Sequence, residues 1–201
     1  MYKLIFIAIT GMLFASNSRA QDSTRIEKKG IYFGVSAGTW FPDGQNKVLG
    51  NPLLFGFTAD IRTEKNAFGL TFDLIGWPDH HTREPLKIKH GNDILIRNDF
   101  FGAHLTLDYG REIWSTNRFL LEGICGIGYG RLTYYNPDKD TEIGKSSLVI
   151  NPGICVRYLA GRKLCIQWKT QYCIANYNLN DHVSTDLRGN YLTTKLIFGS
   201  R

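Results

Sequence analysis

Several residue groups in this chain hold types that do chemistry elsewhere, and their spacing decides which of them to follow. His182 and Ser184 stand two apart, with Asp186 two further on. An imidazole that takes a proton and a carboxylate that orients it are what a serine nucleophile requires. His80, His81 and His90 share one polar stretch with Arg83, Lys87, Lys89 and Arg97. The bases suit charge-assisted contacts with phosphates, whereas a zinc site built on the histidines lacks a third ligand. Asp138, Asp140 and Glu142 alternate like hard-oxygen calcium ligands, but the sixth position of that loop, which must be Gly, is Ile143. Gly144-Lys145-Ser146 ends like a phosphate-binding loop whose first Gly is replaced by Lys139. Gly126-x-Gly128-x-Gly130 matches part of a dinucleotide fingerprint, yet it lies in mid-strand and not between a strand and a helix. His104 with Cys155, Cys165 and Cys173 holds soft-metal ligand types, and the bland reading, packed neutral side chains, is preferred. No metal and no cofactor is implied.

The largest polar set emerges only when the chain is read with period two. Strands are expected at about 30–41, 53–62, 67–77, 99–111, 118–135, 147–159, 163–177 and 189–199, separated by turn residues. One face of these strands is apolar, as in Phe55, Phe57, Ala59, Ile61 or Phe101, Ala103, Leu105, Leu107, Tyr109. The opposite face is small and polar, and it carries Asp60, Arg62, Asp73, His104, Asp108, Glu122, Arg157, Lys169 and Lys195. A balanced set of charges on small-residue strands fits the interior of a narrow barrel, where the ions must pair because isolated buried charges are too costly. The fold class is therefore all-β, an eight-stranded antiparallel transmembrane β-barrel with a plugged lumen. A soluble barrel of the lipocalin kind would show the same periodicity with the faces exchanged. The Gly, Ser and Thr content of the polar face and the aromatic residues near the strand ends favour the membrane version.

Connections alternate in length. Those at Thr63–Asn66, around Thr116 and at Ala160–Arg162 are short, whereas 42–52, 78–98, 136–146 and 178–188 are long and polar. Short periplasmic turns and longer extracellular loops follow. Within the second long loop, Leu86 to Ile96 reads as a hairpin turning at Gly91-Asn92, with an edge open to a partner strand.

Residues 1–20 have the charged start, apolar run and small-residue end of a cleaved signal peptide, 21–29 form a short periplasmic segment, and 30–201 form the barrel. The formal charge of +6 falls to +4 when Lys3 and Arg19 are removed with the signal. No basic cluster is interleaved with aromatics, which argues against nucleic-acid binding. The four cysteines, the three above and Cys125, sit inside expected strands and read as free thiols. Export also permits two bridges of unreadable connectivity.

Gly30 to Gly38 (GIYFGVSAG), Leu121 to Gly130 (LEGICGIGYG) and Asn151 to Tyr158 (NPGICVRY) resemble the small outer-membrane barrels of the OmpA/OmpX kind, and the PorT-like porin-family proteins of Bacteroidetes most of all. The resemblance implies a cell outer-membrane location and a multi-pass barrel, in contact with outer-membrane lipid and lipopolysaccharide. It also implies members ranging from structural barrels to subunits of envelope complexes. The family commonly ends on an aromatic residue, whereas this chain continues three residues past Phe198. The expected function is a non-enzymatic scaffold or interaction barrel, or an accessory subunit of an envelope complex. The alternatives are a narrow pore or small-ligand binder, and a lipid A deacylase-like enzyme using His182 and Ser184. Against the enzyme, the deacylases place their acid on the following strand, and here Tyr191 to Phe198 contains no Asp or Glu.

Overall fold

The computed structural model describes residues 28–76, 80–136, 140–161 and 163–201. The signal peptide, residues 21–27 and Asp138 lie outside them. Eleven strands form: β1 (Gly30–Gly44), β2 (Leu53–Arg62), β3 (Asn66–Ile75), β4 (His81–His90), β5 (Asp93–Asp99), β6 (Phe101–Ser115), β7 (Phe119–Asn136), β8 (Thr141–Ile150), β9 (Gly153–Ala160), β10 (Leu164–Cys173) and β11 (Gly189–Ser200). A single 3-10 turn, Gln45–Leu49, follows β1.

β8 and β9 are one stave of the wall. β7 pairs with both in a single register, Ile127 opposite Ile150 and Ile124 opposite Gly153. Only the ladder at Asn151–Pro152 is interrupted, where Pro has no N–H to give. The staves run in the order β6, β3, β2, β1, β11, β10, β9, β7, and pairing of β7 with β6 closes the ring. The result is a closed antiparallel barrel of eight staves, with β4 and β5 as a separate hairpin above one rim.

The two faces of the wall separate the membrane barrel from its soluble mirror image. Leu107 is 62% exposed and its neighbour Asp108 is 8% exposed. The same inversion holds around the ring: Phe33, Phe57, Phe68, Leu105, Ile127, Trp168 and Phe198 face out, while Asp60, Arg62, Glu122, Arg157 and Lys169 are buried. In water such a surface would be an aggregation liability, whereas in a bilayer it is the apolar belt of a transmembrane barrel. Aromatic contacts mark its periplasmic border, Phe68 on Tyr109 at 5.3 Å between ring centres and Phe119 on Tyr158 at 4.8 Å. None of the described helices is long and apolar enough to cross a membrane, so the crossing is by strands.

Two expectations change. Thr141 to Ser146, expected in a loop, belong to β8 and pair with Asn136 to Arg131. Their polar side chains are tolerated because this hairpin rises above the belt, so period-two hydrophobicity fades there while the hydrogen-bond ladder continues. Residues 174–177, expected at the end of a strand, are held by isolated bridges instead, Ile150 with Ile174 and Asn176 with Arg188.

Candidate functional site

The lumen is filled in layers. Nearest the periplasm, Tyr32, Leu120, Leu159 and Cys165 form a small apolar plug. Above it lies the ionic layer, built from inward positions of alternating parity on six staves. Arg62 reaches Glu112 at 2.5 Å and also pairs with Glu122. Arg157 donates to Asp60 at 3.0 Å, lies 3.4 Å from Glu122, and sits over the Tyr32 ring at 5.1 Å. Lys169 donates to Asp108 at 2.6 Å, and that carboxylate also accepts from Thr71 at 3.0 Å and from Gln171 at 3.1 Å. Lys195 donates to Asp73 at 2.5 Å, and Gln167 donates to Asp60 at 3.3 Å. Each lumen base therefore meets a carboxylate. The cavity left among Asp60, Asp108, Glu122, Arg157 and Lys169 is about 20 Å³, room for one water.

Toward the extracellular rim the lumen changes character. Trp40 stacks on Tyr191 at 4.1 Å, and both belong to a buried cluster with Leu54, Ile75, Leu132, Tyr134, Cys173 and Tyr177. His104, expected in the charge network, lies in this aromatic layer. Its Nε2 is 2.7 Å from the Tyr177 hydroxyl and 3.3 Å from that of Tyr191. Gly130 makes the arrangement possible, because a Cβ there would fall on the Tyr177 hydroxyl and 2.6 Å from His104 Cδ2. The Gly126-x-Gly128-x-Gly130 spacing is thus a run of inward positions kept small.

The barrel mouth is capped. Leu49 of the 3-10 turn, Leu86 and Ile88 of β4, and Leu187 of the last loop join the aromatic cluster. Of the loop residues singled out by sequence, His80 contacts the Leu49 carbonyl at 2.5 Å and stands edge-on to Phe100. His81 is exposed at the start of β4, and His90 closes the hairpin opposite Asp93. Arg83 donates to Asn51 at 3.3 Å, and Arg97 lies 3.5 Å from Asp99. Lys87 and Lys89 carry exposed side chains. His80 and His81 also border a rim cleft of about 470 Å³ with Asp99, Phe100, Tyr135 and Glu142. Among the described residues, no group of His, Cys, Asp and Glu is arranged to hold a metal. The four cysteines are free, with Cys125 exposed on the wall and Cys155, Cys165 and Cys173 buried.

Ser184 is occupied by the cap. Its hydroxyl donates to Asp181 at 2.6 Å and accepts the Lys89 N–H at 3.0 Å. Asp186, the acid nearest the pair in sequence, is held by Arg188 at 2.6 Å. These bonds hold both carboxyls below the usual carboxylate range, through the Ser184 hydroxyl for Asp181 and the Arg188 guanidinium for Asp186.

Sequence reading missed Glu112, which lies just past the expected end of its strand. It also missed the inward aromatics. Tyr32 and Trp40 share the parity of Gly34, Ser36 and Gly38, and Tyr191 shares that of Thr193 and Lys195, so the signal was present. Tyr177 follows the last paired residue of β10 and had no parity to follow.

No family model and no curated protein matches the sequence. Solved structures do. Neisserial surface protein A, from Neisseria, is 11% identical with a TM-score of 0.53, covering 87% of this chain and 97% of its own. Outer membrane protein H of P. aeruginosa is 15% identical with a TM-score of 0.48, covering 84% and 97%. The attachment invasion locus protein Ail of Yersinia pestis, solved with the heparin analogue sucrose octasulfate, is 15% identical with a TM-score of 0.47, covering 85% and 94%. At such identities the likeness is one of fold.

Proposed function

We propose that this protein, an outer-membrane β-barrel with the fold of the small OmpA/OmpX-like barrels, is a non-enzymatic scaffold that displays a folded cap at the cell surface and joins an envelope complex through it. The observation that carries this reading is the lumen, filled from the periplasmic plug through the paired ions to the aromatic layer, with space for a single water. A pore needs a continuous aqueous path, and a small-ligand binder of the lipocalin kind needs an internal cavity. The stabilised part of the exterior is the cap, where two loops and a hairpin share one buried cluster.

Lipid is the first partner, through the apolar belt. The exposed bases Arg83, Lys87 and Lys89 stand where lipopolysaccharide phosphates would meet them as charge-assisted contacts. The Ser184 hydroxyl serves loop docking in this reading, so overexpression leaves the lipid A mass spectrum unchanged.

The test is conductance with a parallel pull-down. The purified barrel in planar bilayers gives no stable current, and a tagged copy extracted from native membranes in mild detergent migrates in an assembly larger than the monomer. A stable current through the wild-type barrel defeats the plugged lumen, and a bare monomer defeats the complex.

A further inference from the structure

The two edges of the cap hairpin are treated differently. The edge of β4 is closed by the chain itself. Thr185 N–H donates to the Lys87 carbonyl at 2.8 Å, Lys87 N–H donates to Thr185 Oγ1 at 2.8 Å, and Lys89 N–H donates to Ser184 Oγ at 3.0 Å. The last loop thus lies along β4 as a third, irregular strand. β5 has β4 on one side and, among the described residues, no strand on the other. An open edge is a template for another chain, and proteins usually blunt it with Pro, Lys or a bulge. Asp93 to Asp99 contains no Pro and no Lys, and its register against β4 is continuous from Asp93 to Arg97.

The side chains beside this edge are unusual for their place. Leu86 and Ile88 turn toward the buried cluster of the barrel mouth, so the hairpin's other face points away from the barrel. On it stand Ile94 and Ile96, 57% and 65% exposed, with Lys89 and Lys87 directly opposite them on β4. The belt residues of the wall are exposed because lipid covers them. These two isoleucines lie past the end of the wall at Phe101, and nothing in the chain covers them. Over the paired length, the face holds two isoleucines and two lysines and no carboxylate.

We propose that the open edge of β5 receives an extended segment of a partner protein, added as a further strand, apolar at alternate positions and acidic between or beside them. Backbone pairing supplies the affinity, and the partner's apolar side chains pack on Ile94 and Ile96 as cross-strand neighbours. Its carboxylates face Lys87 and Lys89 across β5, roughly 9.6 Å from strand to second strand, a span that a lysine and a glutamate bridge together. The proposal rests on the scaffold reading and gives that scaffold its attachment point.

The test uses the full barrel folded in detergent micelles and a labelled nine-residue peptide of alternating Val and Glu, read by fluorescence anisotropy. The peptide binds, while a copy N-methylated at alternate backbone nitrogens, and a copy with Lys for Glu, bind at least about tenfold more weakly. The double substitution Ile94→Lys and Ile96→Lys, at exposed positions that leave the barrel folded by circular dichroism, weakens binding by a similar factor. Absence of binding by the Val/Glu peptide overturns the proposal. So does equal binding of the N-methylated copy, or undiminished binding by the double variant. Recovery of the same native-membrane assembly with wild type and double variant overturns the edge while the scaffold reading stands. A current through wild type, with peptide binding intact, does the reverse.

Discussion

The lower and upper halves of the lumen solve one problem in opposite ways. Both must fill a space only as wide as a few side chains. The lower half fills it with ions, Arg62, Arg157, Lys169 and Lys195 each against a carboxylate. The upper half fills it with rings, Trp40, Tyr134, Tyr177 and Tyr191, and gives its one imidazole to hydroxyl groups. The lower half is enclosed by the wall and the belt. The upper half is enclosed by the cap, whose Leu49, Leu86, Ile88 and Leu187 supply the missing roof. Ionic filling is intolerant of partial loss, since removing one partner strands another charge. Aromatic filling degrades by increments.

The largest expected effect tests that intolerance. Arg157→Met leaves Asp60 with only Gln167 and takes one of two cationic partners from Glu122. It should cost about 3–5 kcal/mol, measured by urea unfolding of the detergent-folded barrel. A loss under about 1 kcal/mol, the range of exposed ion pairs, would mean that the lower half is wet and the contrast between the halves false.

A smaller effect probes the rings. Tyr177→Phe keeps the stack and removes the 2.7 Å bond to His104, leaving the Tyr191 hydroxyl at 3.3 Å as the substitute partner. The expected cost is about 1 kcal/mol, the net value of one hydrogen bond with a replacement at hand. A cost equal to that of Arg157→Met would show His104 to be as exacting as the ions below it.

How much of this was legible in the sequence follows from which half is considered. Eight staves, their facing and the membrane reading came from strict alternation in runs such as Phe68 to Leu74, because lipid and lumen impose opposite demands on successive residues. The ionic residues were legible for the same reason, since a charge between two outward leucines, as at Asp108, has one direction to point. Their partners were not. Which carboxylate Arg157 meets depends on barrel closure, which brings β9 across to Asp60 on β2, and no local spacing encodes a cross-lumen distance. The upper half was the harder one. An inward Trp40 looks like a girdle aromatic, and Tyr177 and Leu187 are placed by loops that fold back into the mouth, where periodicity has ended. The Leu86 to Ile96 hairpin was read from its turn, but the closure of its β4 edge by Ser184 and Thr185 rests on contacts nearly a hundred residues apart.

The smallest expected effect concerns the seam between cap and hairpin, and it sharpens the comparison because it sets the cap apart from both halves of the lumen. Asp181 accepts from the Ser184 hydroxyl and from the Ser184 and Val183 N–H groups, and these bonds favour its charged form, holding the carboxyl below its ordinary range. A carboxyl lowered by folding contributes stability that is fully present above the unfolded value, about 4, and is lost as pH falls through the folded value. Hydrogen exchange at the Lys87 and Lys89 amides should therefore stay slow from neutral pH down to the ordinary carboxylate range. It should quicken below that range, while the β6 and β7 amides in the wall remain protected. Ser184→Ala removes the first of those bonds and the acceptor of the Lys89 N–H together, so Lys89 should lose protection at neutral pH and the acid transition should move up. Uniform loss of protection in cap and wall on acidification would mean that the two unfold as one unit, and that the roof of the upper half is as much part of the barrel as the paired ions below it.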